Sequence, residues 1–146
     1  MMSVDISYLR NYFCFQDLIE AQLDEVAQLC EAECFYSGHT LFEDGKPGTH
    51  LYLLAKGEVE VLFAIGEEGL VLVDCLDAGK VIGCDVLVPP FTYRSTARSL
   101  DEIEVLIIDS AKFRALMQED CKLGLSVQQH IIQILLDQIV DLQLGS

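Results

Sequence analysis

Tryptophan is absent, proline occurs three times, and only 9 of the 146 residues are lysine or arginine. Against those cations stand 24 acids, giving a formal charge of −15. Nucleic-acid binders neutralise phosphates with clustered cations, and anionic membranes are held in the same way, so neither is expected as a partner. An anionic ligand has to be held by a local site working against the overall field. No apolar run reaches the roughly 18 residues a membrane-spanning helix needs. The most apolar stretch, 125–144, is broken by Gln128, Gln129, His130, Gln133, Asp137, Gln138 and Asp141. Met1 to Arg10 has no basic leader and no long apolar run, which predicts a cytoplasmic protein. Six cysteines without an export signal then predict reduced thiols and no disulfide framework. Ser-His-Asp order, an H-E-x-x-H helix and a Walker loop are missing as well, so no catalytic residues and no enzyme are expected.

What is present is a hydrophobic half, 51% of the chain, enough for one well-packed domain spanning 1–146. Its ends are helical in pattern and its middle is not. Ile6, Leu9 and Phe13 recur at helical spacing, and Leu23, Val26, Ala27 and Cys30 share a face of a second segment from about Glu20 to Ala32. Over about 33–109 short β-rich runs alternate with turns. The expected strands are Glu33–Tyr36, Thr40–Phe42, Leu51–Ala55, Glu58–Ala64, Leu70–Leu76, Tyr93–Ser99 and Val105–Asp109. Gly38, Gly45, Gly48, Gly57, Gly66, Gly69, Gly79 and Gly83 punctuate them, and Gly66-Glu67-Glu68-Gly69 reads as a hairpin loop. This pattern predicts a closed or double-sheet β architecture and not a βαβ sheet. About 110–144 is helical again, with Asp109 or Ser110 as the cap.

The run Gly38-His39-Thr40-Leu41-Phe42-Glu43-Asp44-Gly45-Lys46-Pro47-Gly48 carries a resemblance. It continues through Leu51-Tyr52-Leu53-Leu54, Lys56-Gly57-Glu58-Val59-Glu60-Val61, Val81-Ile82-Gly83 and Ser95-Thr96-Ala97-Arg98-Ser99-Leu100. Over roughly residues 15 to 143 the chain resembles the cyclic-nucleotide-binding domain of catabolite activators and of cyclic-nucleotide-regulated kinases and channels. The resemblance implies a mainly β fold with flanking helices: a jelly-roll-like, double-stranded β-helix roll of eight strands, followed by a long C-terminal helix. It also implies a phosphate cassette, a short helix and the strand after it, whose N–H groups and arginine grip a cyclic phosphate while a neighbouring acid takes the ribose hydroxyl. The residues matching that cassette are Gly83, Cys84, Asp85, Arg94, Ser95 and Thr96, and the implied ligand is a cyclic nucleotide or another small anion.

The cassette departs from the family pattern. Gly83-Cys84-Asp85-Val86-Leu87 replaces the usual Gly-Glu-Leu/Ile-Ala, so Cys84, a poor acceptor, stands where the ribose acid is expected. Counting forward from Gly83 puts Arg94 at the phosphate-arginine position, whereas counting back from Ala97-Arg98 puts Tyr93 there. The expected function is therefore a non-enzymatic regulatory module with altered or lost nucleotide binding. Two other readings stand beside it. One is an interaction scaffold without ligand. The other is a cysteine-based redox or metal sensor using Cys84, which a helix start would activate, or Cys30 with Cys34 and His39. No metal ligand set of ordinary spacing is present, and a reduced core cysteine is the simpler reading.

The last helix carries two apolar faces. Leu125, Ile132, Leu135, Ile139 and Leu142 follow a heptad-like seam, and Val127, Ile131, Ile134 and Val140 form the other. One face can cover the roll, which leaves the second for a homodimer. With no DNA-binding segment after this helix, the chain is expected to work as a stand-alone effector domain through a protein partner.

Overall fold

The structure, a computed structural model, describes residues 5–64, 66–67 and 69–144, the last three by their backbone. Glu68 of the expected hairpin loop and the Leu142 side chain lie outside the described residues. Eight strands form two antiparallel four-stranded sheets. The first has the order β1 (Cys30–Phe35), β8 (Ile103–Asp109), β3 (His50–Lys56), β6 (Val81–Ile82). The second has the order β2 (Thr40–Phe42), β7 (Thr96–Ser99), β4 (Val59–Ala64), β5 (Leu70–Leu76). Helices α1 (Ile6–Leu9), α2 (Glu20–Gln28), α3 (Ser110–Glu119) and α4 (Cys121–Leu144) flank the roll, as the fold expectation has it.

The central strand β3 shows why the roll holds together. Leu51, Tyr52, Leu53 and Leu54 are all buried, so both of its faces are covered. On one side lie the N-terminal residues Tyr12, Phe15 and Leu18, and the Tyr12 hydroxyl donates to the Leu54 carbonyl at 2.8 Å. Each such aliphatic, fully buried, contributes about 1.5–3 kcal/mol. At the helix starts, polar side chains take up the unpaired N–H groups. The Asp109 carboxylate accepts from Lys112 N at 3.0 Å at the start of α3, and Asp120 accepts from Leu123 N at 3.1 Å at the start of α4.

Several elements differ from the sequence reading; β8, for one, begins at Ile103 and not Val105. Cys30 to Ala32, expected at the end of the second helical segment, instead pair with β8, Cys30 opposite Ile108, because the sheet edge needs a neighbour more than the helix needs another turn. The apolar periodicity from Asp5 to Phe15 yields only α1 and a 3-10 turn at Phe13–Phe15, since extended Tyr12 turns its ring into the core between them. Strand β7 begins at Thr96 and not Tyr93. Strand β6 has two residues, too short for periodicity to reveal.

Candidate functional site

A cavity of about 560 Å³ opens between the second sheet and α4. Gly83, Cys84 and Asp85 form one wall, Arg94 and Ser95 line it beside them, and Val61, Phe63 and Val73 form the sheet side. Ile131, Ile134, Leu135, Gln138 and Asp141 of α4 close it opposite. Five of the six cassette residues singled out from the sequence thus meet in one place. Thr96 does not line the cavity: it is buried, and its hydroxyl accepts from Asp44 N at 3.1 Å, which ties β7 to the loop after β2.

Two glycines make the wall possible. Gly83 opens the 3-10 turn Cys84–Leu87 with φ +88°, a conformation side chains rarely adopt, and a Cβ there would press on Phe42 and Tyr93 at 3.3–3.4 Å. At Gly48 the backbone itself passes close. A Cβ would fall 2.6 Å from a Val86 methyl carbon and 2.9 Å from the Phe91 carbonyl oxygen.

The two alternatives for the arginine position are separated by the core. Tyr93 is 3% exposed, stacks on Phe42 at 4.0 Å, and both donates to His50 O (2.6 Å) and accepts from His50 N (3.0 Å). With Tyr93 rooted inward, its neighbour Arg94 points out along the cavity, and the Arg94 backbone N–H donates to Asp85 Oδ2 at 3.3 Å. The Arg94 guanidinium forms no hydrogen bond or ion pair among the described residues, whereas Arg98, on β7, is committed to Glu60 at 2.7 Å. Among the described residues Arg94 is the one cation in the lining, and Asp74, Asp85 and Asp141 share the cavity with it.

Cys84 is not the activated thiol that a helix start suggests. Burial, reinforced by the adjacent Asp85 carboxylate, pushes its thiol up to about 12, so it is protonated at neutral pH. The Cys30-Cys34-His39 cluster does not assemble either. Cys30 and Cys34 lie four residues apart on β1, roughly 13 Å at the strand rise. Cys30 donates to Val26 O at 3.4 Å, burial pushes its thiol up to about 12, and the His39 ring stacks on Phe35 at 4.0 Å. No group of three or more His, Cys, Asp or Glu side chains that could hold a metal ion exists among the described residues.

Sequence reasoning missed Arg114. From α3 its Nη1 donates to the Val86 carbonyl at 2.6 Å while the guanidinium lies 4.2 Å over the Phe91 ring. The pair joins residues 28 apart and leaves no local signal. In the sequence Gln138 and Asp141 show only as breaks in an apolar run. Their placement on the cavity follows from where α4 docks. Among the described residues, no helix is long and apolar enough to cross a membrane.

A family model for the cyclic nucleotide-binding domain matches residues 32–120. A Rhodopseudomonas palustris protein that carries a potassium-channel name is 24% identical over 115 residues, which cover 79% of this chain; the match spans only 27% of that relative's length. A Geobacter metallireducens crystal structure described as a cyclic nucleotide-binding protein superposes with a TM-score of 0.84 at 25% identity, covering 93% of this chain and 98% of that one. The regulatory domain of Toxoplasma gondii protein kinase A, crystallised with cAMP, superposes at 0.78 with 18% identity, covering 90% of this chain and 48% of that one.

Proposed function

This chain belongs to the cyclic nucleotide-binding domain family, and from that premise we propose that it is a cytoplasmic, non-enzymatic regulatory module whose cavity takes a cyclic nucleotide through an altered cassette. The observation that carries the reading is Arg94, which lines the cavity with its guanidinium unengaged among the described residues. A guanidinium there can donate two parallel hydrogen bonds to a cyclic phosphate, with the Ser95 hydroxyl and the first N–H groups of the Cys84 turn beside it. The ribose side is the altered part. Cys84 offers a protonated thiol where an acceptor is wanted, and Asp85 is turned toward the Arg94 backbone. Binding of cAMP or cGMP is therefore weaker than a complete cassette would give, because a hydroxyl that enters the pocket without a partner costs about 1–3 kcal/mol.

Isothermal titration with cAMP and cGMP tests this. Saturable binding that Arg94→Ala abolishes supports the site, and no heat with either nucleotide refutes it. One observation favours a second reading, a roll that serves as a scaffold without ligand: three carboxylates, Asp74, Asp85 and Asp141, share the cavity with a single cation. That reading predicts the silent titration.

We also propose that two copies pair along α4. Leu125, Ile132, Leu135 and Ile139 are each about half exposed along one seam, while Leu123, Val127 and Ile131 are buried where α4 packs on the N-terminal 3-10 turn and α3. Sedimentation should give a dimer that Ile132→Asp with Ile139→Asp converts to a monomer. A wild-type monomer at high micromolar concentration overturns this pairing.

A further inference from the structure

His130 lies on α4 immediately before Ile131, which with Ile134 and Leu135 closes the cavity. Its Nδ1 is 2.6 Å from the Ser126 carbonyl oxygen, and its Nε2 is 2.8 Å from Asp17 Oδ2. A backbone carbonyl and a carboxylate can only accept. A neutral imidazole carries one N–H and satisfies one of them, leaving its other nitrogen lone pair against an oxygen lone pair. The imidazolium donates to both. The ring is also held in place: its side chain is 15% exposed and its centroid lies 4.8 Å from that of Phe13.

We infer that His130 and Asp17 form a proton-operated latch that seats α4 against the N-terminal 3-10 turn, and thereby over the cavity. The latch is closed when the ring is protonated. As pH rises the ring loses a proton, one of the two contacts becomes repulsive, and the outer part of α4 is freed. The charged groups around the ring fit this assignment. Asp17 faces it from the segment after the 3-10 turn, and within that turn only Cys14 titrates, with burial holding its thiol protonated. Arg10 is occupied by the Gln16 carbonyl at 3.2 Å, and Asp137 lies two turns further along α4. In the folded chain the latch joins residues 113 positions apart in sequence, and α4 contributes five lining residues to the cavity.

The link to ligand rests on the function proposed above, whereas the latch itself does not, so the experiment has two arms. In the first, amide hydrogen exchange of residues 131–141 is followed by NMR on the ligand-free chain at about pH 6 and about pH 8.5, across the range where imidazoles change charge. After correction for the intrinsic pH dependence of exchange, the α4 amides should exchange about fivefold faster at the higher pH, the low end for a structural coupling because Asp17 is largely exposed. Asp17→Ala, which removes an exposed side chain, and His130→Phe, which keeps a ring against Phe13, should both abolish the difference. Equal protection at both pH values in the wild type, or an unchanged pH response in Asp17→Ala, overturns the latch. In the second arm cAMP is titrated at both pH values. The affinity should fall about fivefold at the higher pH in the wild type and stay level in Asp17→Ala. If cAMP binds at neither pH while the exchange switch persists, the proposed function falls and the latch stands. If cAMP binds and α4 protection ignores pH, the latch falls alone.

Discussion

The two walls of the cavity are held by very different means. The cassette wall is fixed from three directions: by Arg114 on Val86 and Phe91, by the close approach of Gly48, and by Tyr93 anchored to both backbone groups of His50. The α4 wall rests on the apolar contact of Leu123, Val127 and Ile131 and on the single contact between His130 and Asp17. Its outer half carries exposed Leu135, Leu136, Ile139 and Val140. A pinned wall keeps its shape whether or not a ligand is present. A lightly held one can change position when a ligand or partner favours one placement over another. If the chain regulates as proposed, its movement is expected in α4, with the cassette as the fixed reference.

The strongest way to break that comparison is to cut the deepest anchor of the cassette. Tyr93→Ala removes a buried ring, its stack on Phe42 and two hydrogen bonds, and should lower stability by about 3–5 kcal/mol. Leu136→Ala, on the exposed side of α4, should change it by no more than about 0.5 kcal/mol. Urea unfolding monitored by circular dichroism measures both. Costs of similar size would mean that the two walls are equally secured.

Arg114→Ala sharpens the comparison at intermediate size. It deletes one short hydrogen bond to a carbonyl and one contact with an aromatic face, together worth about 1–3 kcal/mol. If the arginine pins the cassette, amides 84–91 should lose exchange protection while those of α4 keep theirs. Loss spread evenly over both walls would show that Arg114 supports the fold in general.

Much of this arrangement is legible in the sequence, and what is not follows a physical pattern. Of the eight glycines read as turn markers, seven have positive φ, because the left-handed region is a local property that residue type reports directly. Gly48 is the exception. It is required by a neighbour 38 positions away, Val86, which its own surroundings in the chain cannot reveal. The same distinction separates Arg94 from Tyr93. Strand alternation alone cannot choose between adjacent residues after the Val88–Thr92 loop, and the choice is made by the Phe42 ring and the His50 backbone. Cys30 shows local pattern losing outright: its helical spacing is overruled by pairing with Ile108. Arg114 and the His130–Asp17 pair were invisible for the same reason, since each joins segments that only the folded chain brings together.

The smallest expected effect concerns the chemistry of the fixed wall. The Cys84 thiol, pushed up to about 12 by burial and by the Asp85 carboxylate, is protonated in the folded state at pH values where an exposed cysteine, near about 8.5, has begun to ionise. The folded state then holds a proton that the unfolded chain releases. The stability tied to this group is complete below the unfolded value and is lost as pH rises from about 9 toward 12. Cys30, pushed up to about 12, and Cys14, raised further still, act in the same sense, so the wild type should lose stability in urea between pH 8 and about pH 10. Cys84→Ser should lose slightly less over that interval, because one of the three protons is no longer at stake. Iodoacetamide gives a second readout: below pH 9 it should label exposed Cys34 and Cys75 well before Cys84, and Asp85→Asn should narrow the gap by removing the neighbouring negative charge. Labelling of Cys84 as fast as Cys34 would mean that this wall opens to solvent as readily as the helix opposite, and the contrast between the two walls would fail.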